Sequence, residues 1–312
     1  MHKKLEEILS ETTAGDPMSA IRWTCKSIRS ISDTLETEGF IIGRTCLHEA
    51  LIELGYSLQS NRKSLSRADD PDRDRQFKII NRKVKKFLQD NCPVISVDTK
   101  KKELIGQFIN KGKQWCPKGD PILVEDHDFP SRSSGKAIPY GTYDVGKNQG
   151  FVNVGISVDT ADFAVNSIIR WWQEFGERNY PDSNKILICA DGGGSNGSRN
   201  RLWKYNLQRF SDKTGLENYV CHYPPGTSKW NKIEHRMFSY ISSNWRGCPL
   251  ESYEAVIQLI GNTTTKTGLK IKAKLDKRKY QKGKKVSDEE FESINLIKNR
   301  VLPKWNYSIQ PL

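Results

Sequence analysis

Lys185-Ile-Leu-Ile-Cys-Ala-Asp191, followed by Gly192-Gly-Gly-Ser-Asn-Gly-Ser198, reads as a buried strand that ends on a carboxylate and opens into a glycine-rich turn. A short apolar run bounded by turn residues suits a strand covered on both faces. Aspartate fits that place poorly, because burying a charge is costly unless a partner compensates it. A bound cation or a proton to be moved would compensate it. An Asx turn ahead of the glycines is the plain alternative.

Outward from this strand the chain alternates. Ala161 to Phe175 has helical spacing at Phe163, Ile168, Trp171 and Phe175, with the Trp171-Trp172 pair expected as core and flank. Residues 199–211 read as a helix, 219–223 as a short strand stopped by Pro224-Pro225-Gly226, and Thr227 to Ile241 as a further helix. Before residue 161 the order differs. Val94-Ile-Ser-Val-Asp98 is a strand, residues 99–109 are expected to pair back on it, and 137–145 and 151–158 are further strands. Residues 110–136 read as a long loop. Early strands without helices imply antiparallel pairing, and later alternation implies parallel strands. The expected fold class is α/β, a mixed sheet with helices on both faces.

The first 60 or so residues read as helical. Ile28, Ile31 and Leu35 recur at helical spacing before Gly39. After a short link, Leu47, Leu51 and Leu54 form a second stripe ending at Gly55, a C-terminal stop. Such a pair suggests a helix-turn-helix, with Arg44, Thr45 and His48 facing a DNA groove and Asn61, Arg62 and Lys63 meeting phosphates. A plain helical cap on the next domain is the alternative. The expected organisation is a helical DNA-binding region at 1–65, a charged hinge and linking helix at 66–90, a catalytic domain at 91–265 and a basic arm at 266–312. Phe77, Ile80, Val84 and Phe87 share one face of the linking helix.

The 312 residues carry a formal net charge of +13, which points to a polyanionic partner, nucleic acid first. Residues 266–285 hold ten Lys or Arg against one acid, Asp276, and read as an extended arm for phosphates. Seven scattered cysteines, none in a Cys-x-x-Cys pair, suit neither a disulfide framework nor a zinc site. No apolar run approaches a membrane span, and residues 1–7 lack the apolar core of a signal peptide, so a cytoplasmic, nucleoid-associated protein is expected.

Three acids stand at element ends or in apolar surroundings: Asp98, Asp191 and Glu234, the last at a helix start one residue after Ile233. Each alone has an ordinary explanation: an edge-strand aspartate, an Asx turn, an acid favoured by the helix dipole. Together, hard oxygen ligands from three elements suit Mg²⁺ or Mn²⁺. Two such ions about 3.5–4 Å apart serve the attacking and leaving oxygens of a phosphodiester. Asp159 is the reserve acid, with N-capping as its alternative, and Asp126 and Asp128 read as surface acids. Lys100, Lys101 and Lys102 would add positive charge beside Asp98. Lys229, Trp230, Asn231 and His235 flank Glu234 as candidate DNA contacts. Packing is the alternative for Trp230, and a plain helix-surface position for His235.

Val97-Asp-Thr-Lys-Lys-Lys-Glu-Leu104, Ala190-Asp-Gly-Gly-Gly-Ser-Asn-Gly-Ser198 and Pro224-Pro-Gly-Thr-Ser-Lys-Trp-Asn-Lys-Ile-Glu-His235 resemble the bacterial "Rhodopirellula transposase DDE domain" family. Asn231-Lys-Ile-Glu234 also resembles the Asn-Pro-Ile-Glu element of mariner-like transposases, with Lys232 in place of proline. The resemblance implies an RNase H-like fold, with Asp98, Asp191 and Glu234 as the metal-binding catalytic triad. It further implies two Mg²⁺ or Mn²⁺ ions, double-stranded DNA as substrate and a homo-oligomer on paired element ends. An inactive DNA-binding repressor and a nuclease without joining activity are the rival functions. The resemblance runs from about residue 16 onward. Family members carry more sequence ahead of that stretch, so a shortened N-terminal DNA-binding segment is expected.

Overall fold

The computed structural model describes Leu5 and residues 13–15, 22–24, 27–56, 70–227 and 230–312. Asn61, Arg62, Lys63 and Lys229 lie outside the described residues. The chain divides into two compact units, Met1–Leu65 and Ser66–Leu312.

In the first unit, β1 (Thr13–Gly15) and β2 (Arg22–Thr24) pair antiparallel, with Ala14 opposite Trp23. This corrects the all-helical reading. Arg22-Trp23-Thr24 carries two β-favouring residues and no helical apolar period. Helices α1 (Ile28–Thr37) and α2 (Arg44–Glu53) follow as expected. Ile31, Leu35, Leu47 and Ala50 are buried together with Leu5. Gly39 and Gly55 both take positive φ (85° and 81°), the left-handed conformation that ends a helix and that glycine adopts at no steric cost. Arg44, Thr45 and His48 are exposed on α2.

In the second unit, α3 (Arg73–Gln89) buries Ile80, Val84 and Phe87 on the predicted face. It takes in Arg73-Asp-Arg-Gln76, four residues of the charged stretch expected as hinge, because they continue the helical period and Gln76 is buried. There follow β3 (Val94–Thr99), β4 (Glu103–Ile105), β5 (Gly135–Asp144) and β6 (Gln149–Gly155). Helix α4 (Ala161–Trp171) continues through a wide turn, Trp172–Gly176, and leads to β7 (Lys185–Ala190). Thr160, not Asp159, caps α4, accepting a hydrogen bond from the Phe163 N–H. Then come α5 (Arg201–Thr214), β8 (Glu217–His222), a wide turn Glu234–Phe238 running into α6 (Ser239–Asn244), and α7 (Tyr253–Gly261).

The sheet order from β3 outward is β5 then β6 on one side and β7 then β8 on the other. β3, β5 and β6 form an antiparallel meander, while β3, β7 and β8 run parallel. An antiparallel meander followed by helix–strand–helix–strand, with the first strand central, is the RNase H-like arrangement. β4 pairs with β5 and not with β3, which corrects the expected pairing of residues 99–109 with the Asp98 strand: β3 is already flanked by β5 and β7.

The basic arm is not a free arm. β9 (Lys270–Asp276) extends the sheet parallel to β6. Helix α8 (Asp288–Glu292) then leads to β10 (Leu296–Lys298) and β11 (Asn306–Ile309), and β11 pairs antiparallel with β8 at the other side. Charge counting hid a strand at 270–276, where Ile271 and Asp276 are buried and Lys270 and Lys272 exposed. Lys272 and Lys274 pair with Glu174, and Lys284 with Asp162 at 3.7 Å.

One face of the sheet packs Ile95, Val97, Ile186, Ile188, Ala190 and Val220 against α4 and α5, with Trp171, Trp203, Phe163 and Phe210 fully buried. Each such side chain contributes roughly 1.5–3 kcal/mol relative to exposure. The other face is covered in two parts. Val94, Leu187, Cys189 and Cys221 meet α3, and Val152 and Val154 meet Ile233, Met237, Phe238 and Ile241.

A candidate carboxylate site at the edge of the central strands

The register of two parallel strands brings the first two acids together. Val97 of β3 pairs with Ala190 of β7. The next residue on each strand is an aspartate, so Asp98 and Asp191 stand side by side at the same edge of the sheet. β3 is the strand where pairing changes from antiparallel to parallel. Open α/β sheets bind ligands at such switch points, beyond the carboxyl ends of the strands.

Glu234 reaches the same edge through the glycines beneath its helix. Asp98 pairs with Gly141 across β5. A Cβ on Gly141 would stand 2.6 Å from the Phe238 ring and 2.7 Å from the Met237 methyl, and one on Gly150 would strike the Met237 sulfur. These two bare positions let Met237 and Phe238 sit down on the sheet. That seating brings Glu234, one turn earlier, beside Asp98. The turn from Glu234 to Phe238 has the wide, π-type hydrogen bonding often found at functional positions.

Asn231 ties the three elements. It is fully buried. Its Oδ1 accepts from the Ser96 hydroxyl on β3. Its Nδ2 donates to the Val97 carbonyl at 3.2 Å and to Asp191 Oδ1 at 3.5 Å. Ser96 Oγ in turn accepts from the Ile233 N–H at 3.0 Å. One amide thus links the Asp98 strand, the Asp191 carboxylate and the start of the Glu234 helix. A side chain so buried and engaged offers no surface for the DNA contact expected of Asn231.

The electrostatics match this crowding. Burial holds the Asp98 carboxyl above its ordinary range, and the Asp191 and Glu234 charges push it further; the Thr99 N–H, donating at 2.7 Å, opposes them. Burial and Glu234 likewise raise Asp191, against the Asn231 amide. Burial raises Glu234, with Lys100 and His235 opposing. Among the described residues no cation forms an ion pair with any of the three. A cluster of hard oxygens disfavouring its own ionisation fits a divalent cation, which would reverse that preference. As the side chains stand, no three His, Cys, Asp or Glu groups among the described residues are close enough to hold one ion together.

The remaining candidates separate clearly. Asp159 is paired with Lys102 at 3.6 Å and accepts from Thr99 Oγ1 at 3.3 Å, so it is a paired neighbour of the cluster. Asp126 and Asp128 are exposed. Lys100 lies over the Trp245 ring, 4.3 Å from its centre, and 3.7 Å from Glu103; Lys101 is exposed. Trp230 is 52% exposed, and its ring lies in a T-shaped arrangement with Phe77, 6.3 Å between centres. His235 is exposed beside Glu234. In the glycine turn, a Cβ on Gly193 or Gly194 would meet open space, and Gly194 takes φ +68°. Sequence reasoning missed Ser96, because a serine within an apolar strand carries no chemical signal of its own. It passed over His222 for the same reason.

Among the described residues no helix is long and apolar enough to cross a membrane. No curated protein matches the sequence. Solved structures similar to the chain include the Mos1 mariner paired-end complex with Mn, at 15% identity and a TM-score of 0.46, covering 83% of this chain and 69% of that one. The Mos1 transposase paired-end complex with the left transposon end matches at 13% identity and 0.45, with the same coverage. The Mos1 strand transfer complex matches at 13% and 0.45, covering 83% and 68%. A family profile described as "Rhodopirellula transposase DDE domain" matches residues 4–311, starting ahead of the residue 16 read from the motifs. The chain belongs to that family of DDE transposases.

Proposed function

We propose that this transposase cuts DNA at the ends of its element and joins the freed end to a target. In the first step a water oxygen bonds to phosphorus, the bond from phosphorus to the 3′ oxygen breaks, and that oxygen leaves as a hydroxyl. In the second step the 3′ hydroxyl attacks a phosphodiester of the target strand and displaces another 3′ oxygen. The observation that supports this reading is that strand register and the Asn231 hydrogen bonds bring the three elements carrying Asp98, Asp191 and Glu234 to one end of the central strands.

Asp98, Asp191 and Glu234 are the residues that would hold Mg²⁺ or Mn²⁺, read here as two ions. Bound there, the ions would supply activation of the attacking oxygen and charge stabilisation at the leaving one. The chain's own residues do the rest. Asn231 and Ser96 hold the carboxylates' three elements in register. Gly193 and Gly194 keep side chains out of the path of a phosphodiester backbone. Lys101, Trp230 and His235 line the exposed approach, and Lys229 is assigned with them as a phosphate contact.

The net charge of +13 supports double-stranded DNA as partner, and exposed Arg44, Thr45 and His48 support α1 and α2 as a helix-turn-helix, with Arg62 and Lys63 as backbone contacts. Cutting two ends of one element calls for a homo-oligomer on paired ends.

The test is Asp191→Asn on labelled element ends with an intact target plasmid. The expected result is loss of Mg²⁺-dependent strand transfer with DNA affinity kept; full activity sinks the assignment. Cleavage by the wild type without joined product identifies a nuclease instead. A second reading, DNA binding without catalysis, is favoured by one observation, the lack of three groups already close enough to share an ion. Failure of the wild type to cut in Mg²⁺ or Mn²⁺ would select it.

A further inference from the structure

Behind Asp191, on the sheet face opposite its carboxylate, lies a buried line of polar groups that the proposed chemistry does not use. Trp203 on α5 and His222 on β8 are 0% exposed, and Tyr307 on β11 is 3% exposed. Trp203 Nε1 stands 2.9 Å from Tyr307 Oη. Tyr307 Oη stands 3.0 Å from His222 Nε2, and His222 Nδ1 stands 2.9 Å from the Asp191 carbonyl oxygen.

The direction of this line follows from what each group can do. An indole N–H only donates, so Tyr307 Oη accepts from Trp203. A carbonyl oxygen only accepts, so His222 Nδ1 carries a proton and donates to Asp191. The Tyr307 hydroxyl hydrogen then has one place to go, the lone pair of His222 Nε2. The imidazole is neutral, in its Nδ1–H tautomer, and every hydrogen is placed. An imidazolium would leave the Tyr307 hydrogen without an acceptor in the core, a cost of roughly 1–3 kcal/mol.

The end of the line is the peptide where β7 gives way to the glycine turn. β7 ends at Ala190, whose carbonyl accepts from the Tyr223 N–H at 2.9 Å. The next residues along the neighbouring strand are Pro224 and Pro225, which have no N–H to donate. The Asp191 carbonyl therefore takes its donor from a side chain. Gly192, Gly193 and Gly194 follow directly, so nothing beyond Asp191 in the chain restrains that peptide sterically.

We infer that His222, set by Tyr307 and Trp203, is a positioning residue for Asp191: it fixes the Asp191 peptide plane, and with it the direction of the carboxylate toward Asp98 and Glu234. The inference rests on the carboxylate site proposed above. His222 touches neither substrate nor ion. It acts as the outer partners of metal-binding groups do, by restricting the ligand's orientation before the ion arrives.

The test measures Mn²⁺ affinity of the full chain without DNA, by water-proton relaxation, together with Mg²⁺-dependent strand cleavage and the unfolding midpoint. The proteins are wild type, His222→Phe, His222→Asn, Tyr307→Phe and Asp191→Asn. His222→Phe removes both ring nitrogens and is expected to weaken Mn²⁺ binding about tenfold and lower kcat with little change in KM for DNA. His222→Asn keeps an N–H near the place of Nδ1 and is expected to recover most of that loss. Tyr307→Phe keeps the Nδ1–H tautomer, which the Asp191 carbonyl sets, but leaves His222 Nε2 and the Trp203 N–H without their partner, and should cost part of that roughly tenfold loss. Wild-type Mn²⁺ affinity in both His222→Phe and Tyr307→Phe, with affinity lost in Asp191→Asn, overturns the inference alone. Wild-type affinity in Asp191→Asn shows the carboxylate site itself to be misassigned, and the inference falls with it. If His222→Phe does not fold, Tyr307→Phe decides: unchanged affinity overturns the inference, and a loss at an unchanged unfolding midpoint supports it.

Discussion

Asp276 and Asp98 both sit at or near the end of a strand of one sheet, yet they are treated in opposite ways. Asp276 is 2% exposed and saturated with donors. Arg278 grips it through Nε and Nη2, each at 2.8 Å, Tyr280 donates at 2.7 Å, and Asn153 and Asn166 at 3.1 and 3.3 Å. Despite the penalty of burial, those donors hold its carboxyl well below the ordinary range. Asp98 has the Thr99 N–H on one oxygen and two further carboxylates as neighbours, and its carboxyl is pushed up. A buried acid kept for structure is neutralised by the protein. An acid left with open lone pairs and like-charged neighbours destabilises the fold by itself, and it marks where something from outside belongs.

Exchanging the two acids for neutral residues should separate the roles. Asp98→Asn is expected to reduce strand transfer by about 10³-fold or more, the scale of several kcal/mol that a metal site contributes. Its unfolding midpoint without divalent ions should hold or rise, because like-charge repulsion is relieved. A large drop in that midpoint would break the contrast. Asp276→Ala should do the reverse and cost about 3–5 kcal/mol of stability, since Arg170 and Arg278 lose their shared anion. Chemical denaturation measures this, and a loss under about 1 kcal/mol would show that the network is ornamental.

The pH dependence should follow Asp276. Its folded value is depressed, so its stabilising contribution is complete above the unfolded carboxylate value of about 3.9 and is lost as pH falls through the lower folded value. Wild type should therefore lose more stability on acidification below about pH 4 than Asp276→Asn does. Equal slopes for the two proteins would contradict the assignment. A smaller effect is expected from Asn231→Ala, which takes the acceptor from the Ser96 hydroxyl hydrogen and the side-chain donor from the Val97 carbonyl and should cost roughly 1–3 kcal/mol. Activity should fall beyond what the stability loss explains, because the Asp191 carboxylate loses its only side-chain donor among the described residues.

The same contrast explains what was legible in the chain. Strands β3, β5, β6, β7 and β8, and helices α3, α4 and α5, announce themselves by period and by glycine or proline stops, so the catalytic sheet was readable. Asp98 and Asp191 stood out because a charge in an apolar strand or at a strand end breaks the pattern, whereas Glu234, at a helix start, stood out only in combination with them. The C-terminal strands were not: in Lys270–Asp276 lysine side chains cover an edge strand, and charge masks its period. β1 and β2 are three residues each, too short for a period to show. The supporting residues were hidden for another reason. Ser96, Asn231 and His222 are ordinary polar residues whose meaning lies in partners between 31 and 137 positions away in the chain. Such partners become visible only when strand register is known.

The most direct measurement of the central claim is anomalous diffraction from crystals of the full chain grown in Mn²⁺. The predicted result is anomalous density between Asp98, Asp191 and Glu234 that disappears in crystals of Asp191→Asn. Density-free carboxylates in the wild type at saturating Mn²⁺, with the three side chains still apart, would contradict it.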